Sequence, residues 1–190
     1  MYAVENDPYC YPGTTILRNV FDIRDAQILE DLESELTTAR ADEPLPEGAF
    51  DEEHFRAIHF HLFQDIYDWA GETRIVRLSK GASHFCYPEQ IDSQLNTLFG
   101  GLAADNHLKG LTHDEFAKKA AAFLATLNVI HTFREGNGRA QLSFLLLLSE
   151  NAAHPLDLAR MDPSEMLEAM IASFFGDEQP LIRTLRHMIV

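Results

Sequence analysis

The chain has 190 residues, of which 46% are hydrophobic and 24% are charged, and this composition is typical of a single folded domain. The formal net charge of −15 at pH 7 excludes bulk nucleic-acid binding, because so acidic a surface repels a phosphate backbone, although a small cationic pocket could still hold a nucleotide. Two cysteines, either reduced or joined in one bridge, exclude a larger disulfide framework. The sequence shows no secretory signal and no run of roughly 20 apolar residues, so we expect a cytoplasmic protein that does not enter a membrane.

Two amphipathic helices are predicted in the first part of the chain. Apolar residues recur at helical spacing from Asp22 to Arg40 and again from Asp51 to Trp69. The sequence "PLPEG" separates the two helices, because proline and glycine interrupt a helix. We expect one domain over residues 1–190, with an N-terminal helical extension over 1–49 and a core over about 50–190.

A short β-hairpin is predicted after the second helix, from about Ile75 to Phe85. β-Branched and aromatic residues flank Lys80 and Gly81, which are typical of a turn. Such a hairpin would project from the helical body. An irregular connecting loop is the alternative for this segment.

The rest of the chain is predicted to be helical. One helix is expected from Pro88 to about Ala104, and "THDE" begins another, with Thr112 as N-cap and Glu115 completing a capping box. The apolar stripe of that helix ends one residue before His131. The next helix is expected to start around Asn137 and is apolar on nearly every side, which predicts a buried central position. Helices within "DPSEMLEAMIASFF" and "PLIRTLRHMIV" complete an all-α bundle.

The sequence "HTFREGNGR", residues 131–139, lies between two apolar helices. A helix N-terminus exposes unpaired N–H groups and carries the positive end of the macrodipole. Gly136 and Gly138 remove side-chain bulk, so an anion can approach those donors closely. Asn137 can bend the chain and donate an amide hydrogen bond, and Arg139 adds a planar cation suited to phosphate oxygens.

Two further residues of this segment carry groups that phosphate chemistry uses. Glu135 offers a hard oxygen ligand for Mg²⁺, and His131, at the end of a rigid helix, could remove a proton from a hydroxyl. Each residue alone has an ordinary interpretation, as a helix cap, a plain turn or a solvated cation. Together they place a base, a metal ligand, an anion nest and an arginine in order along the chain. Phosphoryl or nucleotidyl transfer would use these groups in that order.

This segment resembles the signature of Fic-domain proteins, His-Pro-Phe-x-Asp/Glu-Gly-Asn-Gly-Arg-x-x-Arg. The sequences "YCYPGTTILRN", "IHFHLFQDIYDWAGETR" and "SKGASHF" are similar to the family's N-terminal segment, second helix and flap hairpin. The resemblance implies an all-α, Fic-like helical bundle with a short β-hairpin flap. It also implies the transfer of AMP from ATP to a Ser, Thr or Tyr hydroxyl of a target protein, with release of pyrophosphate.

The resemblance also implies roles for individual residues. His131 corresponds to the general base, Phe133 to the residue that anchors the loop in the core, and Glu135 to the ligand of Mg²⁺. The flap, Ile75 to Phe85, would bind the target's backbone as an added strand. The resemblance implies that Lys80, Gly81, Gly136, Asn137, Gly138 and Arg139 lie at the nucleotide, and we expect Arg134 to bind it as a further cation.

The chain departs from the signature at two positions. Thr132 replaces the proline, which reduces loop rigidity, and Leu142 replaces the second arginine, which holds the γ-phosphate in the family. Arg134 or Lys80 could supply the missing charge; otherwise ATP binds weakly or in another pose, or Leu142 has joined the core. A catalytically weakened Fic-like binding protein is therefore one alternative function.

A phosphotransferase that uses the same anion hole is another alternative. The related Doc kinases carry a lysine where this chain has Gly138, so the glycine favours AMP transfer. The family's inhibitory pattern, Ser/Thr-x-x-x-Glu-Gly/Asn, is not found, and the nearest sequence is "SEMLEA" from Ser164. Absence of this pattern implies inhibition in trans by a small antitoxin, with this chain as the toxin of the pair. However, the arginine that pairs with the inhibitory glutamate is the one that Leu142 replaces.

Overall fold

The computed structural model describes residues 7–190; residues 1–6, the start of the predicted N-terminal extension, lie outside the described residues. The α-helices in the described range are α1 (Ala26–Ala41), α2 (Glu52–Phe63), α3 (Ile91–Ala104), α4 (His113–Ile130), α5 (Asn137–Asn151), α6 (Pro163–Phe174) and α7 (Gln179–Met188). Two short strands, β1 (Ser79–Lys80) and β2 (Ser83–His84), form an antiparallel hairpin. The prediction of an all-α bundle with a short hairpin flap is confirmed.

Helices α2, α4 and α5 form the centre of the bundle. The aromatic rings of Phe55, Phe133 and Phe144 meet there, with ring centroids 5.1 Å apart for the first pair and 5.8 Å for Phe55 and Phe144. Helices α3, α6 and α7 pack against α4, and α1 packs against α2. The motif segment (residues 131–139) therefore begins at the end of one central helix and finishes in the first turn of another.

Helix α4 begins and ends as its sequence predicts. The hydroxyl of Thr112 accepts from the N–H of Glu115, and the Glu115 carboxylate accepts from the N–H of Thr112, so the capping box is formed. The helix ends at His131, which adopts a left-handed conformation with φ 52° and ψ 63°. Helix α5 starts at Asn137, where it was expected.

The first predicted helix starts too early. Helix α1 begins at Ala26 and not at Asp22, because the side chain of Asp25 accepts from the N–H groups of Gln27 and Ile28 and so acts as the N-cap. The backbone of Asp22 has a positive φ of 52°, which a helix does not accommodate.

The second predicted helix ends too late. Helix α2 stops at Phe63, and the chain then passes through turns in which Ile66 and Trp69 remain buried. The carbonyl of Ile66 accepts from the N–H of Val20, so this backbone pairs with the N-terminal segment instead of continuing a helix. The apolar stripe thus predicted burial correctly and helical geometry wrongly.

The hairpin is present but shorter than predicted, since its strands are Ser79–Lys80 and Ser83–His84 and residues 75–78 before them are irregular. Ser79 pairs with His84 and Lys80 with Ser83, and Gly81 has a φ of 60° in the two-residue connection. Helix α5 is central but is not enclosed on every side, since Leu142 is only half-buried where it lines a cavity. Both cysteines are free thiols. None of the helices within residues 7–190 combines the length and the apolarity needed to cross a membrane.

Candidate active site

A cavity of about 740 Å³ opens where the end of α4, the start of α5, the flap and α6 meet. The structure brings seven of the predicted site residues to its wall: Lys80, Gly81, His131, Glu135, Gly136, Gly138 and Arg139. Much of the remaining wall is apolar and includes Met161, Met166, Leu167, Met170, Ile171, Phe174 and Phe175. One side of the cavity therefore suits an anion, and the other suits a flat apolar group.

His131 is held rigidly and only 6% of it is exposed. Its N–H donates to the carbonyl of Leu127 at 3.0 Å, and its Nδ1 donates to the carbonyl of Asn128 at 3.2 Å. A carbonyl can only accept, so Nδ1 carries the proton in the neutral ring and Nε2 is the basic nitrogen. Phe85 of the flap stacks on the imidazole, with ring centroids 3.7 Å apart and planes 16° from parallel.

The surroundings of His131 keep it neutral. Burial is the main reason that the pKa of His131 is lowered to about 3; the nearby charges of Arg74 and Lys80 act in the same direction, and the hydrogen bond to the Asn128 carbonyl acts against them. The imidazole is therefore unprotonated at pH 7 and can accept a proton.

Glu135 presents a carboxylate at the cavity wall. Burial raises its pKa, the hydrogen bond from the N–H of Gly136 lowers it, and the negative charge of Glu33 raises it. A divalent cation would relieve the desolvation of this carboxylate. In the described part of the chain, no group of three His, Cys, Asp or Glu residues could hold a metal by itself. A single carboxylate at a phosphate-sized cavity is chemically compatible with Mg²⁺, which proteins commonly bind through one or two carboxylates and substrate phosphates.

Arg139 is oriented by helix α1. Its Nη1 donates to the hydroxyl of Thr37 at 3.0 Å, and its Nη2 forms an ion pair with Glu33. The guanidinium also lies over the ring of Phe63, 4.7 Å from the centroid. With its side chain 39% exposed, Arg139 still reaches the cavity while α1 fixes its direction.

The two glycines of the motif segment have different functions. Gly136 has a φ of 78°, and a Cβ placed there would lie 2.2 Å from Cζ of Phe63, so the turn requires glycine. Gly138 is exposed, and a Cβ there would have no described atom within 4 Å. Gly136 lets the loop fold, whereas Gly138 leaves the start of α5 open to an anion.

The structure places two predicted nucleotide-binding side chains elsewhere. Asn137 is 2% exposed, and its amide closes the loop by accepting from the N–H of Phe133 and donating to the carbonyl of Phe133. Its side chain does not line the cavity. Arg134 is buried in an ion pair with Asp7 at 2.7 Å and does not line the cavity. Phe133 is fully buried, in agreement with its expected role as an anchor.

Leu142 lines the cavity on α5 and is not part of the enclosed core. It lies about one helical turn after Arg139, where the second arginine of the signature would stand. Of the two cations considered as replacements for that arginine, Lys80 lines the cavity and Arg134 does not.

Several residues that support the site were not predicted for that role. His59 lies stacked between the rings of Phe63 and Phe133, at 4.6 and 3.7 Å. Its Nδ1 accepts from the N–H of Gly71, so its Nε2 donates to the carbonyl of Glu135. Glu33 and Thr37 were also missed, because nothing local marks two residues of α1 as partners of an arginine about a hundred positions away. The apolar period of α2 indicated burial of His59 but not its hydrogen bonds.

The fold and the site together define a helical protein in which a helix N-terminus, an arginine and a neutral histidine face one cavity under a hairpin. The family model described as "Fic/DOC family" matches residues 49–149. The chain belongs to the Fic/DOC family.

Relatives of this chain are named as protein adenylyltransferases. A probable protein adenylyltransferase, y4lH from Sinorhizobium fredii, is 50% identical over 99% of this chain and 98% of its own length. The protein adenylyltransferase VbhT from Bartonella schoenbuchensis is 37% identical over 97% of this chain but only 39% of its own length. The expectation of an enzyme of the adenylyltransferase class is thus confirmed.

A solved structure shares the fold. The BepC protein from Bartonella tribocorum, with bound AMPPNP, is 31% identical and superposes with a TM-score of 0.85. The match covers 96% of each chain.

Proposed function

We propose that this protein transfers AMP from ATP to the hydroxyl group of a Ser, Thr or Tyr residue of a target protein. The observation that carries the proposal is the neutral His131, whose Nε2 is the basic nitrogen, in the same cavity as the N-terminus of α5 and Arg139. The names of the relatives and the AMPPNP bound to a similar protein support ATP as the co-substrate.

In the proposed reaction the hydroxyl oxygen attacks the α-phosphorus of ATP. The bond from that phosphorus to the oxygen that bridges to the β-phosphate breaks, and pyrophosphate leaves. The hydroxyl proton passes to Nε2 of His131. Since the phosphates are negative, their binding raises the pKa of His131 and makes it a stronger base than in the unliganded protein.

The cavity offers a place for each part of ATP. The N–H groups at the start of α5 and the guanidinium of Arg139 bind the phosphates, while the apolar wall from α6 packs against the adenine. Glu135 holds Mg²⁺, which neutralises phosphate charge when it is bound. Lys80, on the flap, adds a positive charge on the other side of the phosphates.

We also propose that the flap binds the target by strand addition. β1 and β2 are only two residues long, and the exposed Arg77 precedes β1. Replacing Arg77 with proline removes a backbone donor, so the KM for the target should rise while the dissociation constant for ATP changes little. Arg77→Ala is the matched control, because it removes the contact with the Tyr87 ring and keeps the N–H. Equal KM values in the two variants would count against strand addition.

A catalytically weakened binding protein is the second candidate. Leu142 favours it, because this apolar side chain lies in the cavity wall where the family signature has a cation. A role as the toxin of a toxin–antitoxin pair, inhibited in trans by a small antitoxin, belongs to the first proposal and needs an active transferase.

Labelled ATP distinguishes these functions. The protein is incubated with a lysate and ATP labelled at either the α- or the γ-phosphate, with His131→Ala as the inactive control. Label transferred to a protein only from the α position supports AMP transfer. Transfer only from the γ position would indicate a phosphotransferase, and a target that co-purifies without acquiring label would indicate a binding protein.

A further inference from the structure

Arg74 is a buried cation between α2 and the flap, and only 1% of it is exposed. Guanidinium groups are rarely buried to this extent unless their donors are satisfied. Here the donors reach four backbone carbonyls: Nε donates to His131 at 2.7 Å, Nη1 to Val76 at 2.5 Å, and Nη2 to Cys86 at 2.6 Å and Ile130 at 3.2 Å.

Two of these carbonyls belong to the end of α4. The last carbonyls of a helix have no partner within the helix and carry the negative end of the macrodipole, so a cation is favourable there. His131 has a φ of 52°, a conformation that residues other than glycine seldom adopt. The bond from Arg74 to the carbonyl of His131 fixes the peptide plane that follows this conformation. It therefore constrains the backbone from which the imidazole projects.

The other two carbonyls belong to Val76 and Cys86, the positions where the flap joins the helical body, which we call the roots of the flap. Val76 precedes β1 and Cys86 follows β2, and the N–H of Cys86 also donates to the carbonyl of Val129 in α4 at 3.0 Å. The backbone N–H of Arg74 donates to the carbonyl of Thr132 at 3.0 Å. One residue thus joins both roots of the flap to the segment that carries the histidine.

We propose that Arg74 is a positioning residue for AMP transfer, which holds His131 and both roots of the flap in one rigid unit. The catalytic base and the edge that docks the target then keep a constant spacing. The roles of His131 and the flap rest on the proposed function, whereas the contacts of Arg74 do not. A planar guanidinium with five donors can reach carbonyls from three segments, but a lysine ammonium is a single point with three donors.

Hydrogen exchange of the wild-type protein tests the rigid unit without any substitution. The amides of Arg74, Cys86 and His131 are expected to show protection within about tenfold of one another, because they open together. The amide of Gly81, at the hairpin tip, should exchange faster. If Cys86 exchanged as fast as Gly81 while His131 stayed protected, the flap would open independently and the proposal would fail.

Substitution then tests the link to the reaction. Arg74→Lys and Arg74→Met are compared with Leu108→Ala, which removes a buried side chain just before α4 begins, far along that helix from His131. At a temperature where all variants are folded, both Arg74 variants should lose about tenfold or more in kcat, because small misplacements of reacting groups are costly. The KM for the target should rise, and the dissociation constant for ATP should change much less.

The NMR resonances of the His131 imidazole separate positioning from a general loss of stability. They should shift in both Arg74 variants and remain in place in Leu108→Ala. Arg74 variants with unmoved resonances, and no greater loss of kcat than Leu108→Ala, would overturn the proposal. If the wild-type protein transferred no AMP, the proposed function would fail, and the exchange and NMR measurements would still decide whether Arg74 holds the unit together.

Discussion

The motif segment and the flap both line one cavity but differ in how firmly they are held. Phe133 is fully buried and Asn137 is 2% exposed, and their mutual hydrogen bonds close the loop. The flap pairs through two residues on each strand, and Ile75 at its start is 72% exposed. Groups that perform chemistry thus lie on the rigid side, whereas the candidate docking edge lies on the side with few bonds.

Phe85 of the flap stacks on the imidazole of His131 in the motif segment. This contact buries the imidazole and so contributes to its neutral state. The difference between the two regions shows that a rigid site can lie beside a less rigid flap, provided that both roots of the flap are held in place. Changes in the motif segment should therefore alter chemistry or global stability, and changes at the flap tip should alter global stability little.

The largest effect is expected from removing the base on the rigid side. His131→Ala should lower the single-turnover rate of AMP transfer by about 10²–10⁴-fold, because proton transfer typically contributes that much. Circular dichroism and a thermal melt should show an intact fold. A variant that transferred AMP at the wild-type rate would contradict the role of His131.

A matched pair of glycine substitutions sharpens the comparison. Gly136→Ala places a Cβ against Phe63 at a φ of 78°, so the free energy of unfolding should fall by about 2–5 kcal/mol. Gly81→Ala has a φ of 60° but no described atom within 4 Å, so the loss should be about 1 kcal/mol. Urea unfolding measures both, and equal losses would show that the flap tip is as constrained as the motif segment.

A charge placed at the cavity wall should strengthen nucleotide binding. Leu142→Arg is expected to improve ATP affinity by roughly tenfold or more through a charge-assisted contact with the γ-phosphate, and to improve ADP affinity much less. Calorimetry with both nucleotides measures the difference. A thermal melt is the control, since a large loss of stability without a gain for ATP would mean that position 142 does not face the phosphates.

The smallest effect concerns the stability of the rigid side at low pH. Burial lowers the pKa values of His59 and His131 to about 3, whereas an exposed histidine in the unfolded chain titrates near 6.5. Between those values the unfolded state binds protons that the folded state does not, so stability falls as the pH falls. Each histidine contributes a slope of up to about 1.4 kcal/mol per pH unit. His131→Asn should reduce the slope measured by urea unfolding between pH 6 and 4 by about that amount; an unchanged slope would contradict the buried neutral state.

Local patterns in the sequence were sufficient for the features that depend on neighbouring residues. The capping box of Thr112 and Glu115 and the start of α5 at Asn137 follow from hydrogen bonds within a few positions. The motif segment could be singled out for the same reason, since its glycines and charged groups are consecutive. The end of α2 could not be predicted, because the Ile66 carbonyl pairs with Val20 in a distant segment.

By itself, then, the sequence determined the helical class, the presence of a hairpin and the identity of the polar and charged groups around the start of α5. Only the tertiary structure decided which of those groups reach the cavity, since Arg134 turns away to pair with Asp7 and Asn137 closes its own loop. Only packing brought Glu33 to Arg139 and the Arg74 guanidinium to the roots of the flap. Hydrogen-bond partners far apart in the chain are selected by how helices pack, and no local periodicity records that choice.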